Sequence, residues 1–373
     1  MRRRLLLRFM AASGLATVAG ASNARAPGGH VVYPNVVPGT ALVFPRDHGA
    51  HPQFRSEWWY ITGSMESVTA RRERMGFQVT FFRSRLDTEP ANPSAFAAKQ
   101  LLFAHVALSD PRQGHLLAEQ RAARSGFDLA EASTTDLDVH IGDWSIQRLA
   151  AQNRFAVRVA TQEFAFEAEL VPTQPILEEG QDGFSRKGPS PSQASEYYSL
   201  PHLALSGTLA RKGQKDPVEG EAWLDREWSS DYLAAEASGW DWCGLNLEGG
   251  AALMAFRIRQ KSGPPLWAGA TLRRADGTVL RFGPEAVSYT TQESWRSPRT
   301  GVTYPVGQRL AVGPYLFDLA PLLRDSELDS SLSTGAIYWE GLVRATPLPG
   351  LPEPLGPGYG YLELTGYDQP LKF

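Results

Sequence analysis

The sequence predicts an all-β chain folded as two tandem antiparallel units related by internal duplication, each a barrel or a sandwich. Its 35 Gly and 27 Pro interrupt helices, while 10 Trp, 12 Tyr and 17 Phe favour half-buried pleated surfaces. At 373 residues the chain exceeds one small core, and domains of ~100–200 residues imply two units. The order of aromatic landmarks in the first half also returns in the second. Cys243 is the only cysteine, so no intramolecular disulfide is available and packing must supply the stability.

Residues 1–26 read as an export signal. Arg2, Arg3, Arg4 and Arg8 form a basic start, Phe9 to Val18 is a short apolar stretch, and Ala19-Gly20-Ala21 or Ala24-Arg25-Ala26 offers a cleavage site. The arginines ahead of Leu5 and Leu6 resemble a twin-arginine signal, which implies a periplasmic or secreted protein. A membrane span needs roughly 20 apolar residues, and no later segment supplies them, so the mature chain is not expected to span a membrane. Residues 27–50 form a Pro- and Gly-rich lead-in.

The first unit, residues 27–232, begins its strands at Trp58-Trp59-Tyr60-Ile61-Thr62-Gly63. After a charged hairpin tip, Arg71-Arg72-Glu73-Arg74, it continues through Met75 to Phe82. Trp144, Phe155 to Val159 and Phe164 to Ala168 mark alternating strands, and Tyr197-Tyr198 through Gly220-Glu221-Ala222-Trp223-Leu224-Asp225 closes the unit. The second unit, 233–373, repeats this order: Trp240-Asp241-Trp242-Cys243-Gly244, Leu253 to Ile258, Trp295, Arg309 to Val312, then Tyr338-Trp339 through Gly358-Tyr359-Gly360-Tyr361-Leu362-Glu363. Each unit reads as about seven short strands. Ser94 to Gln100 and Trp228 to Ala237 are the plausible short helices, and the seam falls near 226–239.

The formal net charge is −3, and without residues 1–26, which carry five arginines and no acid, it becomes −8. Such a balance argues against nucleic acid as a partner. His48-Gly49-Ala50-His51 lies beside Pro52 with no cysteine or second ligand pair, so no metal is expected, and no cofactor motif is present. No G-x-S-x-G elbow supports a hydrolase.

If Trp223 to Glu227 is a strand, Trp223, Asp225 and Glu227 share one face, with neighbouring carboxyl positions ~7 Å apart. Burial beside indole rings raises a carboxyl pKa, and each acid raises the other's, so one of them can stay protonated as a general acid. Trp223, Trp240 or Trp242 could then steady a developing carbocation. The alternative is a structural latch in which Arg226 pairs with the acids where one unit leads into the next.

The chain resembles the AttH and CrtC family of lipocalin-like proteins, which includes hydroxyneurosporene synthases, the carotenoid hydratases. The resemblance is carried by His51-Pro52-Gln53-Phe54-Arg55-Ser56-Glu57-Trp58-Trp59-Tyr60, Ser195-Glu196-Tyr197-Tyr198-Ser199, Ala222-Trp223-Leu224-Asp225-Arg226-Glu227-Trp228 and Gly239-Trp240-Asp241-Trp242. It implies two tandem lipocalin-like (calycin) antiparallel β-barrels. In the hydratases an aspartate protonates a terminal alkene, and the matching position is Asp225. Trp223 and Glu227 depart from the family's neighbouring tyrosine and asparagine, and Glu196 and Tyr198 stand where a His-x-Trp pair is found. The candidate ligand contacts are Trp59, Glu196, Tyr198, Trp223, Trp240 and Trp242, although the Trp58-Trp59-Tyr60 and Trp240-Asp241-Trp242 runs read more readily as barrel core than as ligand shelf, and Glu227 is the candidate companion to Asp225 on their shared face. Two functions follow: an exported carrier of a hydrophobic small molecule or lipid, serving an ABC-type export system, or an acid-catalysed hydratase or cyclase of an isoprenoid.

Overall fold

The computed structural model describes residues 31–69, 74–86, 97–231 and 233–371. The export signal and Arg71 to Glu73 of the expected hairpin tip lie outside them. Among the described residues the regular structure is strand apart from three single-turn 3-10 helices, and no helix is long and apolar enough to cross a membrane.

The strands form two antiparallel, barrel-like sheets. The first runs, neighbour to neighbour, through Leu117–Arg124, Gln100–Ser109, Met75–Arg85, Ser56–Ser67, Gln214–Ser229, Ala194–Arg211, Phe164–Pro172, Arg154–Ala160 and Trp144–Leu149, then on to two short strands. The second runs through Val279–Phe282, Trp267–Arg273, Ala252–Gln260, Ala237–Leu247, Gly358–Leu364, Ala336–Pro347, Tyr315–Pro321, Thr303–Val312 and Val287–Arg296. Strand by strand, the orders correspond. The registers correspond too: Tyr60 faces Asp225 as Trp242 faces Glu363, and Ser199 faces Asp225 as Glu340 faces Glu363.

The sheets hold 13 and 10 strands rather than about seven each. The surplus includes pieces such as Ala130–Ala132, Leu177–Glu178 and Phe184–Arg186, too short to display a period of two. The helix expected over Trp228 to Ala237 is absent from its described residues: Ser229 ends one strand and Ala237 begins another. There Ser229 donates its hydroxyl to the Ala194 carbonyl and accepts from the Asp231 amide, which holds a turn where a helix was expected. Of Ser94 to Gln100, residues 94–96 lie outside the described set, and Gln100 opens a strand.

Among the described residues three large apolar clusters, with a small fourth around Ala107, Leu328 and Tyr338, organise the molecule. Trp59, Ile61, Phe77, Phe81, Trp144 and Phe155 fill the first barrel, and Cys243, Leu245, Tyr304, Phe317 and Trp339 the second. The third belongs to neither: Tyr60, Tyr197 and Trp223 of the first barrel pack with Trp242, Met254, Phe256, Leu342 and Tyr361 of the second. Alternation explains the division, since Trp59 and Ile61 point into their own barrel while Tyr60 between them points at the other. Ser56–Ser67 is therefore buried on both faces, and its sequence reads as a nearly continuous aromatic and apolar run.

Candidate functional site

Between the barrels lies a cavity of about 650 Å³. Trp58, Tyr60, Phe82, Trp240, Trp242 and Phe256 contribute apolar wall, and Asp225, Glu227, Lys187 and Glu363 contribute charge or protons. That size suits a drug-sized molecule.

Asp225 sits on the Gln214–Ser229 strand with its side chain 3% exposed. Trp223 Nε1 lies 2.6 Å from Oδ1, Ser199 Oγ 2.6 Å from Oδ1 and Tyr197 OH 2.7 Å from Oδ2. Burial outweighs these three hydrogen bonds and pushes the carboxyl up to about 7. Ser199 Oγ is also 2.9 Å from Glu179 Oε1, and burial pushes Glu179 up to about 8. One hydroxyl proton cannot serve two acceptors, so near neutrality Asp225 or Glu179 donates to Ser199 while Ser199 donates to the other. The pair thus stores a proton beside the cavity, and its titration belongs to both acids.

Glu227 is on the same face, two residues along, where it accepts from Ser195 and lies 3.1 Å from Lys187 Nζ. The Lys187 ammonium also stands over the rings of Tyr197 and Phe256, at 4.6 and 4.3 Å from their centroids, so it touches both barrels.

The latch alternative is corrected here, because Arg226 does not meet Asp225. Consecutive side chains leave a strand on opposite faces, and Arg226 enters the first barrel, where it and Arg83 both bond Glu57. Burial opposes ionisation of Glu57, but Arg226 and Arg83 hold it well below the usual carboxylate range. The Arg226 guanidinium also covers the Trp59 ring at 4.2 Å.

The remaining expected ligand contacts divide. Trp240 and Trp242 line the cavity, and Trp223 reaches it through Asp225. Trp59 belongs to the first barrel's interior, its Nε1 donating to the His48 carbonyl at 2.9 Å. Tyr198 is there as well, its hydroxyl 2.7 Å from His48 Nδ1. Glu196 borders a separate cavity of about 450 Å³ with Asp47, His51 and Trp228, and burial pushes it up to about 7. Sequence reasoning missed Tyr60, Tyr197, Ser199, Glu179, Lys187, Glu340 and Glu363. For Glu363 a signal existed: matching the two closing strands by their glycines sets it under Asp225.

These features define a class: a duplicated, barrel-like β-protein with a buried carboxyl of raised pKa on the wall of an inter-barrel cavity. Residues 35–367 match the family described as AttH-like, and the chain belongs to it. A Nitrosomonas europaea protein described as an AttH has a crystal structure with 49% sequence identity and a TM-score of 0.82, covering 90% of this chain and 99% of its own. Kievitone hydratase of Fusarium solani subsp. phaseoli is 24% identical over 219 residues, 57% of this chain and 61% of that relative, so the match leaves over a third of the hydratase outside it. The crystal structure of kievitone hydratase from Nectria haematococca shares the fold, with a TM-score of 0.68 at 18% identity over 91% of this chain and 96% of that one.

Proposed function

We propose that the inter-barrel cavity takes an apolar small molecule with a carbon–carbon double bond, and that Asp225 protonates it to begin the addition of water. The observation that carries this reading is a buried carboxyl, raised to about 7, at the wall of a cavity lined by indole and phenyl rings. Protonation of an alkene demands an acid still protonated near neutrality, and desolvation provides one. The carbocation that follows gains from the electron-rich faces of aromatic rings such as Trp242 and Tyr60. Trp223, Tyr197 and Ser199 then stabilise the carboxylate left behind. Similarity to kievitone hydratase supports the reaction class.

Asp225→Asn preserves shape and removes the transferable proton. We expect turnover to fall roughly 10²–10⁴-fold with ligand affinity nearly unchanged. Turnover and affinity both equal to those of the native protein would refute the role.

The carrier reading uses the same cavity, and its apolar wall favours it: a lipid or other hydrophobic molecule is held, for an ABC-type export system, without being changed. Native mass spectrometry after gentle purification separates the two, since a carrier retains a stoichiometric ligand and an enzyme releases its product. Either role is assigned to the periplasm or exterior on the strength of the basic, then apolar, first 26 residues. Sequencing the N-terminus of protein from the periplasmic fraction checks this, and an intact leader there would contradict it.

A further inference from the structure

We infer that Glu363, backed by Glu340, is a second acid–base group of the cavity: the base that takes the proton of the attacking water. The inference rests on the reading of Asp225 as proton donor and adds its counterpart on the other barrel.

Glu363 holds in the second barrel the place Asp225 holds in the first. Each stands on its barrel's closing strand, opposite the ring of the opening strand that points out of the barrel: Tyr60 for Asp225, Trp242 for Glu363. Those two rings meet edge to face, 5.2 Å between centroids, where the barrels touch. From there the hydrogen bonds cross over. Tyr60 OH donates to Glu340 Oε1 of the second barrel at 2.5 Å, and Trp242 Nε1 donates at 3.1 Å to Tyr197 OH, which donates to Asp225 in the first. Each barrel thereby reaches into the other's acid network.

Glu363 lines the cavity with Asp225 and is only half-buried, its open side being the cavity. Its Oε2 accepts from Trp240 Nε1 at 2.7 Å. Glu340, opposite it in register, is 2% exposed, and its Oε2 has no hydrogen-bond partner among the described residues. Burial, then the neighbouring Glu363, push Glu340 well above the usual carboxyl range, whereas burial, eased by the Trp240 hydrogen bond, pushes Glu363 up only to about 7, so of the two it is Glu363 that ionises first as pH rises.

The step balances. Asp225 gives its proton to one alkene carbon, the adjacent carbon becomes cationic, and a water oxygen bonds to that carbon while its proton passes to the Glu363 carboxylate. The product is an alcohol. Asp225 ends ionised and Glu363 protonated, and exchange with solvent water restores both.

The test uses a dimethylallyl phenol as probe, an isolated trisubstituted alkene that forms a tertiary cation, in deuterium oxide with the native protein, Glu363→Gln and Asp225→Asn. The native protein is expected to form alcohol. Glu363→Gln should lower alcohol formation roughly 100-fold or more with KM nearly unchanged. It should still let deuterium enter the vinylic position of recovered alkene, because protonation and its reversal need only Asp225. Asp225→Asn should lose both. Should Glu363→Gln fail to fold, Glu363→Asp keeps the carboxyl but shortens its reach, and the same split is expected in milder form. Native-like alcohol formation by Glu363→Gln, or loss of deuterium entry along with it, overturns the role of Glu363 and leaves Asp225 standing. Neither alcohol nor deuterium entry with the native protein overturns the proton-donor reading and this inference with it.

Discussion

Asp225 and Glu57 are both buried acids only three register positions apart on paired strands, yet their surroundings drive them to opposite protonation states. Asp225 meets three neutral donors and no cation, so desolvation wins and its pKa rises; Glu57 meets two guanidiniums and its pKa falls. The consequences for stability have opposite signs. Between the unfolded pKa of 3.8 and the folded value of about 7, the unfolded chain gives up the Asp225 proton while the folded one keeps it. Asp225 therefore costs stability progressively over that window, on the order of 2–4 kcal/mol by the top of it. Asp225→Asn should be more stabilised relative to the native protein at pH 8 than at pH 4, measured as the difference in melting temperature against pH; a difference that does not change with pH contradicts the assignment. For Glu57 the contribution is present above its unfolded pKa and lost as pH falls below it. Glu57→Gln leaves Arg83 and Arg226 buried without a counter-charge and should cost about 3–5 kcal/mol at neutral pH, read from chemical denaturation.

At the scale of a strand, face-to-face closeness depends on where glycine replaces a side chain. Gly76 on Met75–Arg85 abuts the second barrel: a Cβ there would stand 2.5 Å from the Tyr361 hydroxyl and 2.8 Å from Leu342 Cβ. A Cβ on Gly244 would meet the Trp242 and Trp223 rings at 2.7 and 2.9 Å, so the two indoles lie over a strand kept bare for them. Gly76→Val should force the barrels apart, costing about 1–3 kcal/mol and opening the shared aromatic cluster. A lowered melting temperature with increased binding of a hydrophobic dye is the expected readout, and native values for both would show that the contact yields freely. Such closeness is invisible in a linear pattern, because a strand glycine reads the same whether it faces solvent or another barrel.

For the whole molecule, the aromatic cluster between the barrels packs side chains of both into one buried contact. Tyr60 bonds Glu340, His105 Nδ1 lies 2.9 Å from Tyr338 OH, and His202 contacts the Ala251 carbonyl through Nε2 at 2.9 Å, so separating the barrels strands buried polar groups as well as rings. Denaturant should produce a single transition, with tryptophan fluorescence and far-ultraviolet circular dichroism coinciding. Two resolved transitions would mean that each barrel folds alone.

The all-β class and the repeat were legible in the sequence because turn residues, aromatics and their order are local properties of the chain. So was the shared face of Asp225 and Glu227, which needs only the period of a strand. Which residues face the cavity depended on the fold. Trp59 and Tyr60 are neighbours of the same chemical kind, yet one fills its own barrel and the other meets its neighbour, a choice set by the register of Ser56–Ser67 against strands far away in sequence. Likewise Arg226 stands beside Asp225 in sequence but answers Glu57, and Glu340 comes against Tyr60 across 280 residues. Local pattern determined what each strand is; only the packing of one barrel on the other decided which of its buried groups meet, because burial and proton affinity arise from neighbours that the chain supplies from a distance.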